Sequence, residues 1–313
     1  MTGPQPPRKR ARRQTPASTD LAQVDQSASK LDRPAFQYIG ILYHPKLAES
    51  RVMAAEMLEF IEGQGVSAWV SSSWGEEVVV DQLSELDLLI ALGGDGSLLR
   101  AARLTGGWNV PILGVNMGRL GFLTEVQPDE WPQAIRQILL GQYWVEERLM
   151  VHAEHHRQER VVHAYEALNE IVIGRGQFAR VVRLHTYING SFLTTYTADG
   201  LIIATATGST AYALAAGGPI LPPELENFLL MPLAPHLSLD RAVVLSKGAT
   251  VRVEVSADQP VMLTIDGQFA IEVTDGDQIV MSASPAVGRF VRLQEKNYFY
   301  RTLMQRLGWP NKK

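Results

Sequence analysis

Asp95 stands between glycines in the run Asp87 to Arg100, DLLIALGGDGSLLR. An apolar strand that ends in Gly93-Gly94-Asp95-Gly96 and passes at once into a helix puts a carboxylate and several unhindered backbone N–H groups at the carboxyl end of the strand. Ligands of open α/β sheets bind there, glycine lets a phosphate approach the backbone, and a helix N-terminus adds partial positive charge. The same run reads equally as a tight strand-to-helix turn with Asp95 as the N-cap. A second polar island is Asn169-Glu170, enclosed by aliphatics in Ala167 to Ile173. Adjacent residues of an extended chain point to opposite faces, so at least one is held toward a core or a cleft. Asn offers a donor and an acceptor and Glu two acceptors, which suits an adenine edge and a ribose diol; a polar β-bulge or sheet edge is the alternative. The third island runs from Thr197 to Pro223, where small residues fill most positions from Ala204 to Gly218 and would let a flat ligand lie close to the backbone. A helix beginning near Ser209 would offer free N–H groups beside Thr210 and Tyr212, although close helix-to-sheet packing also accounts for the alanines. Asp199 in the same stretch needs a partner for its charge.

Other chemistries are excluded. No G-x-x-x-x-G-K-[ST] run occurs, and Gly174 to Ala179, a formal G-x-G-x-x-A, is followed by the strand-like alternation Arg180 to Ile188 instead of a helix. The absence of Cys removes disulfides, Cys-ligated zinc, iron–sulfur clusters and thiol nucleophiles. His152, His155, His156 and His163 fall in one expected hairpin, and His155 to Arg160 reads as a solvated turn in preference to a metal site. Asn189-Gly190-Ser191 reads as an Asn-Gly turn.

The elements that carry these residues alternate at first. Strands at Tyr38 to Tyr43, Val66 to Val70, Asp87 to Leu92 and Val110 to Val115 are separated by helices at Leu47 to Ile61 and Ser97 to Leu104, and Asp129 to Leu140 reads as a closing helix. Buried strands joined through helices imply a parallel sheet covered on both faces. Beyond Gly141 the period shortens to two: Val161 to Tyr165, Ile171 to Ile173, Thr250 to Ser256, and Val261 to Ile265 with Phe269 to Val273 around an Asp266-Gly267 turn. A short helix is expected around Thr210 to Ala216 and a last one over Tyr298 to Leu307. The expected fold class is an α/β N-terminal domain with a Rossmann-like parallel sheet, followed by a mainly β, sandwich-like domain. The boundaries are a disordered basic tail at 1–34, the α/β domain at 35–140, the β-rich domain at 141–290 and a C-terminal segment at 291–313. Residues 1–33 carry seven Lys or Arg against three Asp or Glu, leaving 22 bases and 30 acids in the rest. A body at net −8 argues against a nucleic-acid binder, and no apolar stretch suits a membrane helix, so a cytoplasmic location is expected.

Taken together and in this order, the three islands resemble those of the NAD kinases. The resemblance spans Ile39 to about Arg301. It rests on Gly93 to Gly96, on Asn116-Met117-Gly118-Arg119-Leu120-Gly121-Phe122-Leu123, on Asn169-Glu170, and on Asp199-Gly200 followed by Thr207-Gly208-Ser209-Thr210-Ala211-Tyr212. It implies transfer of the ATP γ-phosphoryl group to the 2′-hydroxyl of the adenosine ribose of NAD, with NAD in the cleft between the domains and the C-terminal segment returning to the first. It also implies that Asp95 accepts the hydroxyl proton, with Gly96 beside it, while Gly93, Gly94 and Gly96 face the ATP phosphates. Asn169 and Glu170 would hold the adenosine, and Phe122, Thr210, Ala211 and Tyr212 would line an adenine pocket that continues into Ala213, Leu214 and Ala215. Arg100, Arg180, Asp199 and Gln268 match further ligand positions. Ala234 matches one that can reach a neighbouring subunit, so a homodimer or homotetramer is expected, and the apolar Phe228 to Leu239 loop would then be covered. A divalent cation, Mg²⁺, is implied as the companion of ATP. Two positions depart from the family. Ala206 replaces a customary Pro, and Thr197 stands where some relatives have a base, so no contact is carried over to Thr197. A lipid or sugar kinase sharing the Gly-Gly-Asp-Gly run and a non-catalytic NAD sensor are the competing readings.

Overall fold

β1 (Tyr38–Tyr43) sends Ile39 and Ile41 to one face and Leu42 to the other, all buried, as a strand covered on both sides must. It lies parallel between β2 (Ser67–Ser72) and β3 (Leu88–Gly93), and β3 lies parallel to β4 (Ile112–Asn116). The computed structural model describes residues 36–74, 82–176, 180–236 and 238–308, so the basic tail expected over 1–34 lies outside them. On one face of this sheet, α1 (Ala48–Gly63) and α3 (Trp131–Leu139) bury Ala54, Met57, Ile61, Ile135 and Ile138 against Ile39, Ile41 and Ile90. On the other face, α2 (Asp95–Thr105) buries Leu98, Leu99 and Ala102 against Leu42, Leu89 and Ile112, together with Met150, Leu168 and Phe290 from the β-rich half.

Eleven of the twelve remaining strands build the β-rich half: β5 (Trp144–Arg157), β6 (Arg160–Ala167), β7 (Glu170–Arg175), β8 (Val182–Ile188), β9 (Ser191–Ala198), β10 (Gly200–Thr205), β11 (Asn227–Leu233), β12 (Val243–Ser246), β13 (Thr250–Ser256), β14 (Val261–Ile265) and β15 (Phe269–Val273). The twelfth, β16 (Gln278–Arg292), joins the halves. It runs antiparallel to β5 along its length; on its other side it pairs antiparallel with β13 over Gln278–Ser282 and then parallel with β4 through Phe290 and Ile112. One ten-stranded sheet results, in the order β2-β1-β3-β4-β16-β13-β8-β9 with β5 and β6 branching from β16. A six-stranded antiparallel sheet, β12-β11-β10-β7-β14-β15, faces it across a core that includes Val151, Leu184, Tyr196, Ile203, Leu230, Val253 and Leu263. The expected α/β and β-rich architectures are both present. The Asp266-Gly267 and Asn189-Gly190 turns have the paired positive φ values of hairpin turns, and β8 follows Gly174 to Gly176 where a dinucleotide fingerprint would need a helix.

Three expectations change, and one strand had none. The last helix, α5, covers Tyr298–Arg306, close to its expected span, but the helix expected around Thr210 to Ala216 is a 3₁₀ turn at Gly208–Thr210 followed by the single-turn α4 (Tyr212–Ala215). The apolar loop expected from Phe228 to Leu239 is largely β11, whose Phe228 to Met231 are buried within this chain, so that run needs no second subunit to cover it. The strand β16 left no clear alternation in its sequence because its burial partners change along its length. Finally, β5 extends to Arg157 and places His155 in the interior, 2.9 Å from Asp277, instead of in a solvated turn. There the His155 ring stacks on His163 at 5.7 Å.

Asp277 accepts hydrogen bonds from Arg157 Nη2 (2.7 Å) and the Thr274 N–H (2.9 Å) and pairs with His155 Nε2. Burial alone would raise this carboxyl, but the Arg157, Thr274 and His155 contacts hold it far below the ordinary carboxylate range. Its contribution to stability is therefore complete above pH 4 and is lost as the pH falls further. Asp277→Asn is expected to lower stability by about 1–3 kcal/mol at neutral pH. In thermal melts the gap between mutant and wild type should close below about pH 4.

Candidate active site

β3 delivers Gly93 to the end of the parallel sheet, and α2 begins immediately, with Gly94 at its N-cap and Asp95 as its first residue. A β-carbon on Gly93 would fall 2.1 Å from Ser97 Oγ, so only glycine lets the strand turn this sharply into the helix. Asp95 does not cap its own helix. Its carboxylate turns away, and each oxygen accepts a backbone N–H from a neighbouring loop: Phe122 to Oδ2 at 2.7 Å and Leu123 to Oδ1 at 3.0 Å. That loop is shaped by Asn116, which exchanges two hydrogen bonds with the Gly118 backbone, and by Gly121, where a β-carbon would lie 2.0 Å from Asp95 Oδ1. Arg306, at the end of α5, donates to the Gly121 carbonyl, and Phe299 of the same helix lies 6.4 Å from the half-buried Phe122 ring. The C-terminal helix thus rests on the loop that holds Asp95.

Beside the α2 N-terminus opens a cavity of about 1120 Å³. Gly94, Gly96, Arg100, Arg103, Gln268 and His152 contribute to its wall. Gln268 is fastened there by donating to the Gly96 carbonyl (2.8 Å) and accepting from Arg103 Nη1 (2.8 Å).

The Asp266-Gly267 turn just before Gln268 anchors the second island. The Asp266 carboxylate accepts the N–H groups of Leu168 (3.0 Å), Asn169 (2.7 Å) and Glu170 (3.1 Å). Glu170 is buried at the start of β7 and Asn169 is half-buried, so it is Glu170 that is held inward. Burial, reinforced by the Asp266 charge, pushes the Glu170 carboxyl up to about 7 against the opposing Tyr212 N–H. Its Oε2 is buried without a hydrogen-bond partner among the described residues.

The third island is held tightly from below. Thr205 Oγ1 donates to the Leu168 carbonyl and accepts the Gly208 N–H, while a β-carbon on Gly208 would lie 2.1 Å from the Asn169 carbonyl oxygen. Ser209 Oγ and the Leu221 backbone are bonded at 2.9 Å, and Thr210 Oγ1 donates to Thr207. Ala206, at the position of the missing Pro, is buried and its carbonyl accepts Ser209 Oγ. Tyr212 and Ala215 line a second cavity, about 480 Å³, with Asp199, Ala234 and Arg175. Asp199 finds its partner in Arg175 Nε at 3.4 Å. Ala213 is buried in the core and Leu214 is half-buried. Thr210 and Ala211 are half-buried where the 3₁₀ turn passes into α4. Arg180 stands elsewhere, in a small cleft with Gly176 and Pro260. Among the described residues, no group of three or more His, Asp or Glu could hold a metal ion.

Comparison with known proteins decides the family. The ATP-NAD kinase N-terminal domain matches residues 23–143 and the ATP-NAD kinase C-terminal domain residues 168–293. NAD kinase of Chloroflexus aurantiacus is 41% identical over 269 residues, covering 86% of this chain and 98% of its own. The chain belongs to the NAD kinase family. NAD kinase of Citrifermentans bemidjiense is 39% identical, across 82% of this chain and 93% of its own. Among solved structures, yeast NADH kinase complexed with NADH superposes with a TM-score of 0.77 at 25% identity, over 90% of each chain. An NAD kinase from Archaeoglobus fulgidus in complex with ATP shares the fold, with a TM-score of 0.71 at 24% identity over 87% of this chain and 99% of that one. Neither the lipid or sugar kinase reading nor the sensor reading finds support among these relatives.

Against this NAD kinase background, two site residues had escaped the sequence. Asp266 reads there as an ordinary Asp-Gly turn, and only the fold turns its side chain onto Asn169 and Glu170. Arg306 lies far along the chain from Gly121 and leaves no local signal.

Two outcomes are expected. Gly121→Ala must displace Asp95, and kcat should fall at least about 10-fold, since small misplacements of a reacting group are costly; steady-state kinetics beside a thermal melt checks this. For Glu170, a pKa raised by folding means that its ionisation costs stability as pH rises from 4.5 to about 7. Ligand-free Glu170→Gln should therefore be more stable than wild type at pH 8 by on the order of 1–3 kcal/mol, with the two melting curves converging toward pH 4.5.

Proposed function

We infer that the chain is an NAD⁺ kinase that transfers the γ-phosphoryl group of ATP to the 2′-hydroxyl of the adenosine ribose of NAD, giving NADP and ADP. The observation that carries the catalytic reading is the clamp on Asp95. Two backbone N–H groups and the Gly121 backbone fix its carboxylate beside the glycine turn, yet each oxygen keeps a lone pair free. A ribose hydroxyl has a pKa far above neutrality, so a base must take its proton as the phosphoryl group arrives, and a pre-oriented carboxylate does this without reorganisation.

Support for the binding roles comes from the polar groups around it. Glu170, with its unpartnered Oε2, accepts from the adenosine, and Asn169 is held beside it by Asp266. Phe122 and the Thr210–Ala215 segment flank the adenine, with Asp199 and Ala234 along the second cavity. Gly93, Gly94 and Gly96 present the first-turn N–H groups of α2 to the ATP phosphates, and Arg100 adds positive charge at the same wall. Arg180 is the outlying member of the proposed set. Mg²⁺ would enter with ATP and neutralise charge on its phosphates, which with water would supply most of its ligands. A homo-oligomer in which Ala234 approaches a neighbouring subunit, a cytoplasmic location and no nucleic-acid or membrane partner complete the reading. Among the described residues no helix is long and apolar enough to cross a membrane.

Incubation with ATP, Mg²⁺ and NAD, read by a coupled NADP-dependent dehydrogenase, should show NADP. Asp95→Asn keeps the shape of the side chain and removes its basicity, so kcat should drop about 10²- to 10⁴-fold while the calorimetric Kd for NAD changes little. Near-wild-type turnover with an unchanged melting temperature would take Asp95 out of the catalytic role.

A further inference from the structure

Behind the site lies a set of buried ions that no step above uses. Arg292, at the end of β16, is fully buried; its Nη1 donates to the Leu123 carbonyl (2.9 Å) and to Glu125 (3.1 Å), and its Nε to Glu146 Oε2 (2.8 Å). Glu146 and Arg148 point the same way from alternate positions of β5, and Arg148 Nη2 donates to the same Glu146 oxygen at 2.9 Å. Tyr298, the first residue of α5, closes the group: its hydroxyl accepts from Arg148 Nη2 (2.8 Å) and donates to Glu146 (3.0 Å). Arg148 then reaches out with Nη1 to Thr207 Oγ1 at 3.0 Å. Arg148, Glu146, Tyr298 and Thr207 are all buried. Burial alone would raise the Glu146 carboxyl, but Arg292 and Arg148 hold it below the ordinary range, so it remains an anion shared between two cations.

The ends of this set matter. At one end, Leu123 gives its carbonyl to Arg292 and its N–H to Asp95. At the other, the Thr207 carbonyl accepts the hydroxyl of Thr210, in the segment proposed to flank adenine. Buried ion networks are expensive to desolvate, and apolar packing serves bare stability at least as well. What a network of charge-assisted, directional bonds adds is a fixed spacing between the groups at its ends.

We propose that Arg148, bridged through Glu146 to Arg292, is a positioning residue that holds the Thr207 loop in register with the 122–123 backbone carrying Asp95. Adenosine bound on one side then meets the base on the other at a set distance. The inference rests on the NAD kinase reading for what is being positioned. Arg148 touches neither substrate; it acts through Thr207.

The test uses the full chain and two substitutions. Thr207→Val keeps the shape of the side chain and deletes the acceptor for Arg148 Nη1, leaving the bonds of Arg148 to Glu146 and Tyr298. Thr207→Ser restores the oxygen. Thr207→Val should lower kcat about 10-fold or more while the Kd for NAD shifts less than threefold, and Thr207→Ser should recover most of the rate. Amide hydrogen exchange at Phe122 and Leu123 should quicken in the Val variant and return in the Ser variant. A purely structural bond would lower the melting temperature and leave both kcat of the folded enzyme and exchange at 122–123 unchanged, which would overturn the proposal. So would a rate loss that Ser does not repair. If wild type itself makes no NADP, the NAD kinase reading fails, and the exchange comparison still decides whether the Thr207 loop and the Asp95 clamp are coupled.

Discussion

One strand, β16, makes the rest of the architecture possible. Its early residues complete antiparallel ladders with β13 and β5, and its last turn of pleat lies parallel to β4, so a single backbone belongs to both halves. The ladder with β5 shifts register between Ala283 and Val287, the stretch where the opposite edge passes from β13 to β4. Arg292 at its end is delivered beneath the loop that holds Asp95, and Phe290 into the core shared by α2 and the β-rich half. A site assembled from both halves needs such a shared member, because a linker could not hold a carboxylate to a fraction of an ångström.

The polar interior is organised by backbone donors as much as by opposite charges. Asp95 takes two N–H groups and Asp266 three, each from a segment distant in sequence. Such contacts neutralise a carboxylate with dipoles that cannot move, so the side chain is oriented before any ligand arrives. Glu170 is treated differently: it is buried beside Asp266 and keeps one oxygen unpartnered.

Local pattern made the first half legible. β1 has the bounds read from the sequence, because a doubly covered strand is a bare apolar run framed by turns, and β13, β14 and β15 were equally clear because one face is buried and the other wet. β10 and β11 were hidden although they too are doubly covered, because a continuous apolar run carries no period and theirs, unlike that of β1, does not stand in a regular alternation of strands and helices. Gly93 to Gly96, Asn169 and Glu170 could be picked out as candidates from residue type alone. Asp266 and Arg306 could not, since each acts across a large sequence separation. His155 was misplaced because a histidine between charged neighbours looks solvated until its carboxylate partner, Asp277, comes in from the other end of the chain.

The pairing of Phe290 with Ile112 also sets an order of events during synthesis. β1 to β4 can associate as soon as they leave the ribosome, with α1, α2 and α3 to cover them, and the outer edge of β4 is met at Gly114 and Asn116 by Glu125 and Val126, but its Ile112 end has no partner until the last strand is made. At about 5–20 residues per second that interval is roughly ten to thirty-five seconds. For that time the Ile112 end of a short buried strand presents open N–H and C=O groups beside an incompletely covered face of α2. The nascent chain is therefore most exposed to misassociation at this seam, and its completion waits on residues near the C-terminus.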